Sequence, residues 1–125
     1  MEDVKKRILI VEDDAELANL FQVRLEQEGY EVEAAGDGEK ALAAAVKVMP
    51  DLIVLDVMMP QISGFDVLDI LKNTEKTQNI KIVLLTALSQ VKNKEHAIEL
   101  GAEDYLVKSE TTLDEVVNCI RNNLD

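Results

Sequence analysis

The sequence predicts an α/β domain: a parallel sheet with helices packed on both faces. Three observations predict it. Four-residue runs of Ile, Val and Leu recur at 8–11, 52–55 and 82–85, and solidly apolar strands of this kind belong inside parallel sheets. The segments between them carry apolar residues at helical spacing. Strand and helix alternate five times, and right-handed crossovers turn that alternation into one sheet covered on two sides.

The elements follow in order. The first strand, 8–11, stops at Glu12, Asp13 and Asp14. Leu17, Leu20, Phe21 and Leu25 then fall at i, i+3, i+4 and i+8, a helical stripe that Gly29 closes. Tyr30, Val32 and Ala34 alternate with Glu31 and Glu33, which marks a strand with one wet face at a sheet edge. After the turn at Gly36, Asp37 and Gly38, the residues Leu42, Ala45, Val46 and Met49 share one face of a second helix, ended by Pro50. The third strand is 52–55. Ser63 is the expected cap of a third helix with Val67, Ile70 and Leu71 as its buried stripe. Polar 73–79 reads as a loop. The fourth strand, 82–85, ends at Thr86, a fourth helix spans roughly 90–100, and Gly101 stops it. A short fifth strand, 105–107, ends at Lys108. Leu113, Val116, Val117, Ile120 and Leu124 form the stripe of the last helix. Five strands of this kind predict a doubly wound, flavodoxin-like sheet of order 2-1-3-4-5.

Length and composition bound the function. With 125 residues the chain is expected to be one domain, with no effector domain attached. A net charge of −12 and 3% aromatic residues disfavour nucleic acid and anionic membrane as partners. No apolar run reaches membrane-spanning length, and no signal peptide is expected before Arg7. A single cysteine, Cys119, permits no internal disulfide, which fits a reducing, cytoplasmic setting. Cys119 borders an apolar stripe and reads as a small core residue, and His96 lies in a charged, solvated segment.

In the predicted strand order the ligand crevice lies at the carboxyl ends of strands one and three. Asp13, Asp14 and Asp56 are expected to meet there. Three acids in one crevice repel unless a cation neutralises them, and Mg2+ with oxygen ligands is the natural one. Thr86 and Lys108 end strands four and five on the same side. A carboxylate, a metal, a hydroxyl and an ammonium are the parts of a phosphoryl-transfer site. Each residue has a plainer use: Asp13 or Asp14 as a helix cap, Asp56 in a turn, Thr86 as a cap, Lys108 in solvent. Their joint placement at four strand exits favours the site.

With these pieces in view, the chain resembles the receiver domains of two-component response regulators, close in size to stand-alone chemotaxis-type members. The resemblance rests on ILIVEDD, DLIVLDVMMPQISGFDVL, IVLLTA and GAEDYLVK, together spanning 8–108. It implies that Asp56 accepts a phosphoryl group from a histidine kinase or phosphotransfer protein. It implies Mg2+ held directly by Asp13 and Asp56 and by the carbonyl of Met58, with Asp14 acting through water. It implies that Thr86 and Lys108 grip the phosphoryl oxygens and that Tyr105 is a switch whose ring turns inward on phosphorylation. The face of helix four, strand five and helix five would then change its affinity for a downstream protein, as a monomer or a phosphorylation-dependent dimer. The chain would catalyse only its own phosphorylation and dephosphorylation. An enzyme of the haloacid-dehalogenase type needs a second acid two residues after the nucleophile, where Met58 stands. A flavin module needs a phosphate cradle after strand one, where three acids stand. One departure is Ser109, which follows Lys108 where the family has proline. A cis bond before serine costs about 2.5–4 kcal/mol, so the expected Lys108–Ser109 bond is trans. The segment 109–115 reads as a capping sequence for the last helix.

Overall fold

The computed structural model describes residues 4–125; the expectation of no leader before Arg7 rests partly on residues 1–3, outside the described residues. Strand and helix alternate as β1 Arg7–Val11, α1 Ala15–Gln27, β2 Glu31–Ala35, α2 Gly38–Val48, β3 Leu52–Leu55, α3 Gly64–Lys72, β4 Lys81–Thr86, α4 Val91–Glu99, β5 Asp104–Val107 and α5 Leu113–Leu124. A 3-10 turn, Lys108–Glu110, leads from β5 towards α5. The strands form one parallel sheet of order β2-β1-β3-β4-β5, as the alternation of elements predicts.

The period of two along each strand splits the core into two layers. Leu9, Val11, Ile53, Leu55, Ile82 and Leu84 face α2, α3 and α4. Ile8, Ile10, Leu52, Val54, Val83 and Leu85 face α1 and α5. Because β1, β3 and β4 are covered on both sides, none of their apolar positions is left wet, and the carboxyl ends of these strands are where polar side chains collect. β2 is an edge, with Glu31 and Glu33 in solvent and Val32 buried.

Several stripes differ from expectation by one helical position. Leu20, Val46, Met49 and Ile70 are 52%, 44%, 41% and 45% exposed. The residues that seat their helices are Ala18, Phe21 and Leu25 in α1, Ala41 and Ala45 in α2, and Val67, Leu68 and Leu71 in α3. Alanines allow close approach of helix to sheet, so they take the centre and displace the larger neighbours about 100° around the helix. Ala34 is exposed and Ala35 buried, since Ala35 is the residue of β2 that turns under α2. Ser63 caps α3, as expected, by accepting the Asp66 N–H. Thr112 caps α5 through a reciprocal capping box with Glu115. No cis peptide occurs among the described residues, so Lys108–Ser109 is trans.

Candidate functional site

Three strand exits build the site. The Glu12 N–H donates to the Ala35 carbonyl at 3.1 Å, so the chain keeps its strand path one residue past β1 and turns the Glu12 side chain inward, 5% exposed. Asp56 follows β3, its N–H donating to the Val11 carbonyl at 3.1 Å, and its side chain is as deeply placed. Lys108 follows β5 and reaches across β4. Its Nζ donates to Glu12 Oε1 at 2.7 Å and to Asp56 Oδ2 at 2.9 Å. The other Asp56 oxygen, Oδ1, accepts the Met58 N–H at 3.1 Å.

One carboxylate oxygen each from Glu12, Asp13 and Asp56 lies within 4.8 Å of the others. Burial raises the pKa of Glu12, an effect its bonds to Lys108 only partly offset. Burial alone would lower the pKa of Lys108, but its bonds to Glu12 and Asp56 outweigh this and raise it. The lysine is therefore a fixed cation facing three acids, which leaves negative charge uncompensated. The donors are all oxygen, a set that suits a hard cation, and these three residues could hold one.

The structure brings Asp13, Asp56 and Lys108 together and places Asp14 elsewhere. Asp14 is the N-cap of α1: its Oδ1 accepts the N–H groups of Glu16 at 3.0 Å and Leu17 at 3.2 Å. Glu12, not Asp14, is the third acid of the cluster, so the expected trio of Asp13, Asp14 and Asp56 is corrected. The signal was present in the sequence. Of three successive acids, the last one before a helix is the natural cap, which leaves the first two for the crevice.

Thr86 closes β4 with no exposed surface, and its Oγ1 accepts the Leu88 N–H at 3.4 Å. The Leu88 carbonyl in turn accepts the Tyr105 hydroxyl at 2.8 Å. The Tyr105 ring is already inward, 6% exposed, and burial raises the pKa of its phenol, with the charge of Asp56 adding to the effect. The resemblance implies a ring that turns inward on phosphorylation; in this structure, of the unphosphorylated chain, it is inward. The Met58 side chain is exposed, at 55%.

The comparisons with known proteins agree on one family. The model of the response regulator receiver domain matches residues 8–121. The DNA-binding dual master transcriptional regulator RpaA of Synechocystis is 45% identical over 102 residues, covering 82% of this chain and 42% of that protein. The chain thus spans less than half the length of this relative. A putative response regulator from Chloroflexus aurantiacus is 34% identical with a TM-score of 0.89, covering 97% of this chain and 98% of its own. Chemotaxis protein CheY4 of Vibrio cholerae is 29% identical with a TM-score of 0.90, covering 97% of this chain and all of its own. A match over this span, on a sheet of order β2-β1-β3-β4-β5, means that the chain belongs to the receiver domain family of two-component response regulators.

Proposed function

We propose that this receiver is a Mg2+-dependent phosphoacceptor switch and that Asp56 is the residue phosphorylated. The observation that carries this reading is the Asp56 carboxylate, buried at the exit of a central strand, held by Lys108 at 2.9 Å and clustered with Glu12 and Asp13. Asp13, Asp56 and the Met58 carbonyl would hold the ion directly, with Glu12 beside them. Bound there, Mg2+ would neutralise the acids and the oxygens of an incoming phosphoryl group.

A carboxylate oxygen of Asp56 attacks the phosphorus of a phosphohistidine on a kinase or phosphotransfer protein. The P–N bond breaks, its electrons return to the imidazole, and an acyl phosphate forms. Lys108 supplies a point charge for the new phosphoryl oxygens, and the Thr86 hydroxyl supplies a donor. Hydrolysis of the acyl phosphate resets the switch, so no external metabolite is turned over. This reading places the protein in the cytoplasm with its donor.

The output path starts at Thr86. If its hydroxyl turns to a phosphoryl oxygen, its bond from the Leu88 N–H is lost, and Leu88 is also the residue that anchors the Tyr105 hydroxyl. The readout is thus the hold on a ring already buried. A groove of about 280 Å³ between α4 and β5, lined by Val91, Lys94, Tyr105, Leu106 and Val107 among others, lies over that ring and is where a downstream protein would sense the change. A ligand shifts a conformational balance only through contacts that differ between states, and the Thr86 hydroxyl provides one.

Incubation with acetyl phosphate and Mg2+ should add one base-labile phosphoryl group, read by mass spectrometry, and Asp56→Asn should abolish it. Equal labelling of Asp56→Asn and the parent would refute the assignment.

A further inference from the structure

The first residue of α3, Gly64, sits directly against the backbone of the acceptor. Its N–H donates to the Val57 carbonyl at 2.9 Å. A Cβ at this position would overlap the carbonyl oxygen of Asp56 and would lie 2.7 Å from the Val57 Cα. The demand is for space and not for an unusual backbone, because the glycines with positive φ are Gly29 and Gly101. The obstructing atoms are backbone, which cannot swing aside as the tip of a side chain can.

Which partner would yield is decided by packing. Val67 and Leu68 of α3 are fully buried, and Leu71 is 2% exposed, so the helix is seated in the core and cannot retreat. The N–H of Asp56 is tied to Val11. The free ground is the connection from Val57 to Ser63, where Met58 is 55% exposed and Gln61 already has a φ of 69°. That connection carries the Met58 peptide, whose N–H bonds Asp56 Oδ1 and whose carbonyl is one of the ligands proposed above.

We propose that Gly64 is a positioning residue: the bare Cα that opens α3 seats the backbone of Asp56 and Val57, and so fixes the Asp56 carboxylate and the Met58 peptide in the geometry that receives the cation. This inference rests on the phosphoacceptor reading and deepens it. Gly64 touches neither metal nor phosphoryl group and acts through the acceptor's backbone.

The test separates positioning from stability. Gly64→Ala is compared with Gly101→Ala, which lies at the opposite end of the sheet, has a φ of 107° and would meet Lys72 Cγ at 3.2 Å. Both variants should melt at lower temperature than the parent. Mg2+ affinity, read from backbone amide shifts, should fall about tenfold or more in Gly64→Ala, the size expected when support for a ligand is lost, and should stay within about twofold in Gly101→Ala. Unchanged affinity in Gly64→Ala would overturn the inference. A second measurement on the parent decides the matter if Gly64→Ala does not fold. Mg2+ should slow hydrogen exchange at the Gly64 amide more than at the amides of Val67 to Leu71, because stiffening the Met58 peptide stiffens the Val57 carbonyl that Gly64 bonds. Equal protection along α3, while the Asp13 and Met58 amides respond, would refute the positioning role alone. If neither Asp13 nor Met58 responds to Mg2+, the metal reading fails and the inference falls with it.

Discussion

Lys72 and Lys108 make the same kind of bond at opposite ends of the sheet, with different outcomes. Lys72 closes α3 and donates to Glu103 at 2.8 Å and to the Ile80 carbonyl at 2.9 Å. Glu103 also accepts the Ile82 N–H at 3.3 Å. One cation meets one acid, and the remaining polar atoms are backbone. This arrangement ties the end of α3 to the starts of β4 and β5. Lys108 meets Glu12 and Asp56, with Asp13 beside them. One cation faces three acids, and the surplus negative charge has no partner among the described residues. Charge balance therefore separates a structural clamp from a binding site, although both lysines are largely buried. A buried pair can be self-sufficient, whereas an unbalanced cluster keeps an affinity for a cation from outside.

The sharpest way to break this comparison is to remove each lysine. Lys72→Met leaves Glu103 charged, poorly solvated and unpaired, and should cost about 3 kcal/mol of stability in urea unfolding. Labelling of Asp56 by acetyl phosphate should persist at temperatures where the variant is folded. Lys108→Met also strips the cation from buried acids, Glu12 and Asp56, but its loss of stability should be largely recovered by adding Mg2+, and labelling should fall to background. If Lys72→Met abolished labelling in a folded protein, the two lysines would not be functionally distinct.

A smaller effect sharpens the charge argument. Asp13→Ala removes one of the three acids and should stabilise the metal-free protein by about 0.5–1 kcal/mol, since it relieves repulsion at a site partly open to water. The same change should erase the stabilisation that Mg2+ gives the parent. Paired urea melts in chelator and in Mg2+ would show both, and a loss of stability in chelator would contradict the assigned repulsion.

The smallest effect concerns an acid satisfied by a neutral group. Asp104 accepts the Cys119 thiol at 3.2 Å, and burial together with this bond pushes the thiol pKa up to about 12. A raised folded-state pKa means that this contribution to stability is complete below the ordinary thiol value of 9.0 and is lost as pH rises through about 12. Relative to Cys119→Ala, the parent should therefore hold its advantage at neutral pH and lose it above pH 9. Alkylation at pH 8 should run about a thousandfold slower than for a free thiol, in step with the lost thiolate. Rapid alkylation of the folded protein would show that the thiol is not held in this way.

The sequence alone was enough for the sheet order, because the apolar runs that become β1, β3 and β4 are too solid for any position but the interior of a parallel sheet, and five alternations leave few ways to wind it. It was enough as well for Asp56 and Lys108, since a charge that ends an apolar strand has only the strand exit to occupy. Ser63 before α3 and Gly29 after α1 were legible for the same local reason: capping is chemistry between near neighbours. Leu20, Ile70, Glu12 and Gly64 were decided by the tertiary structure. Helical spacing defines a face to within about one position, and only the approach of Ala18 or Ala45 to the sheet selects its centre. The run of three acids shows that Asp14 caps α1, but not that Glu12 turns inward to Lys108, because that depends on the Glu12 N–H following the strand path one residue past β1 to the Ala35 carbonyl. The need for a bare Cα at Gly64 appears only once α3 is laid against β3. Close approach between segments distant along the chain is a property of packing, and no local spacing in the sequence encodes it.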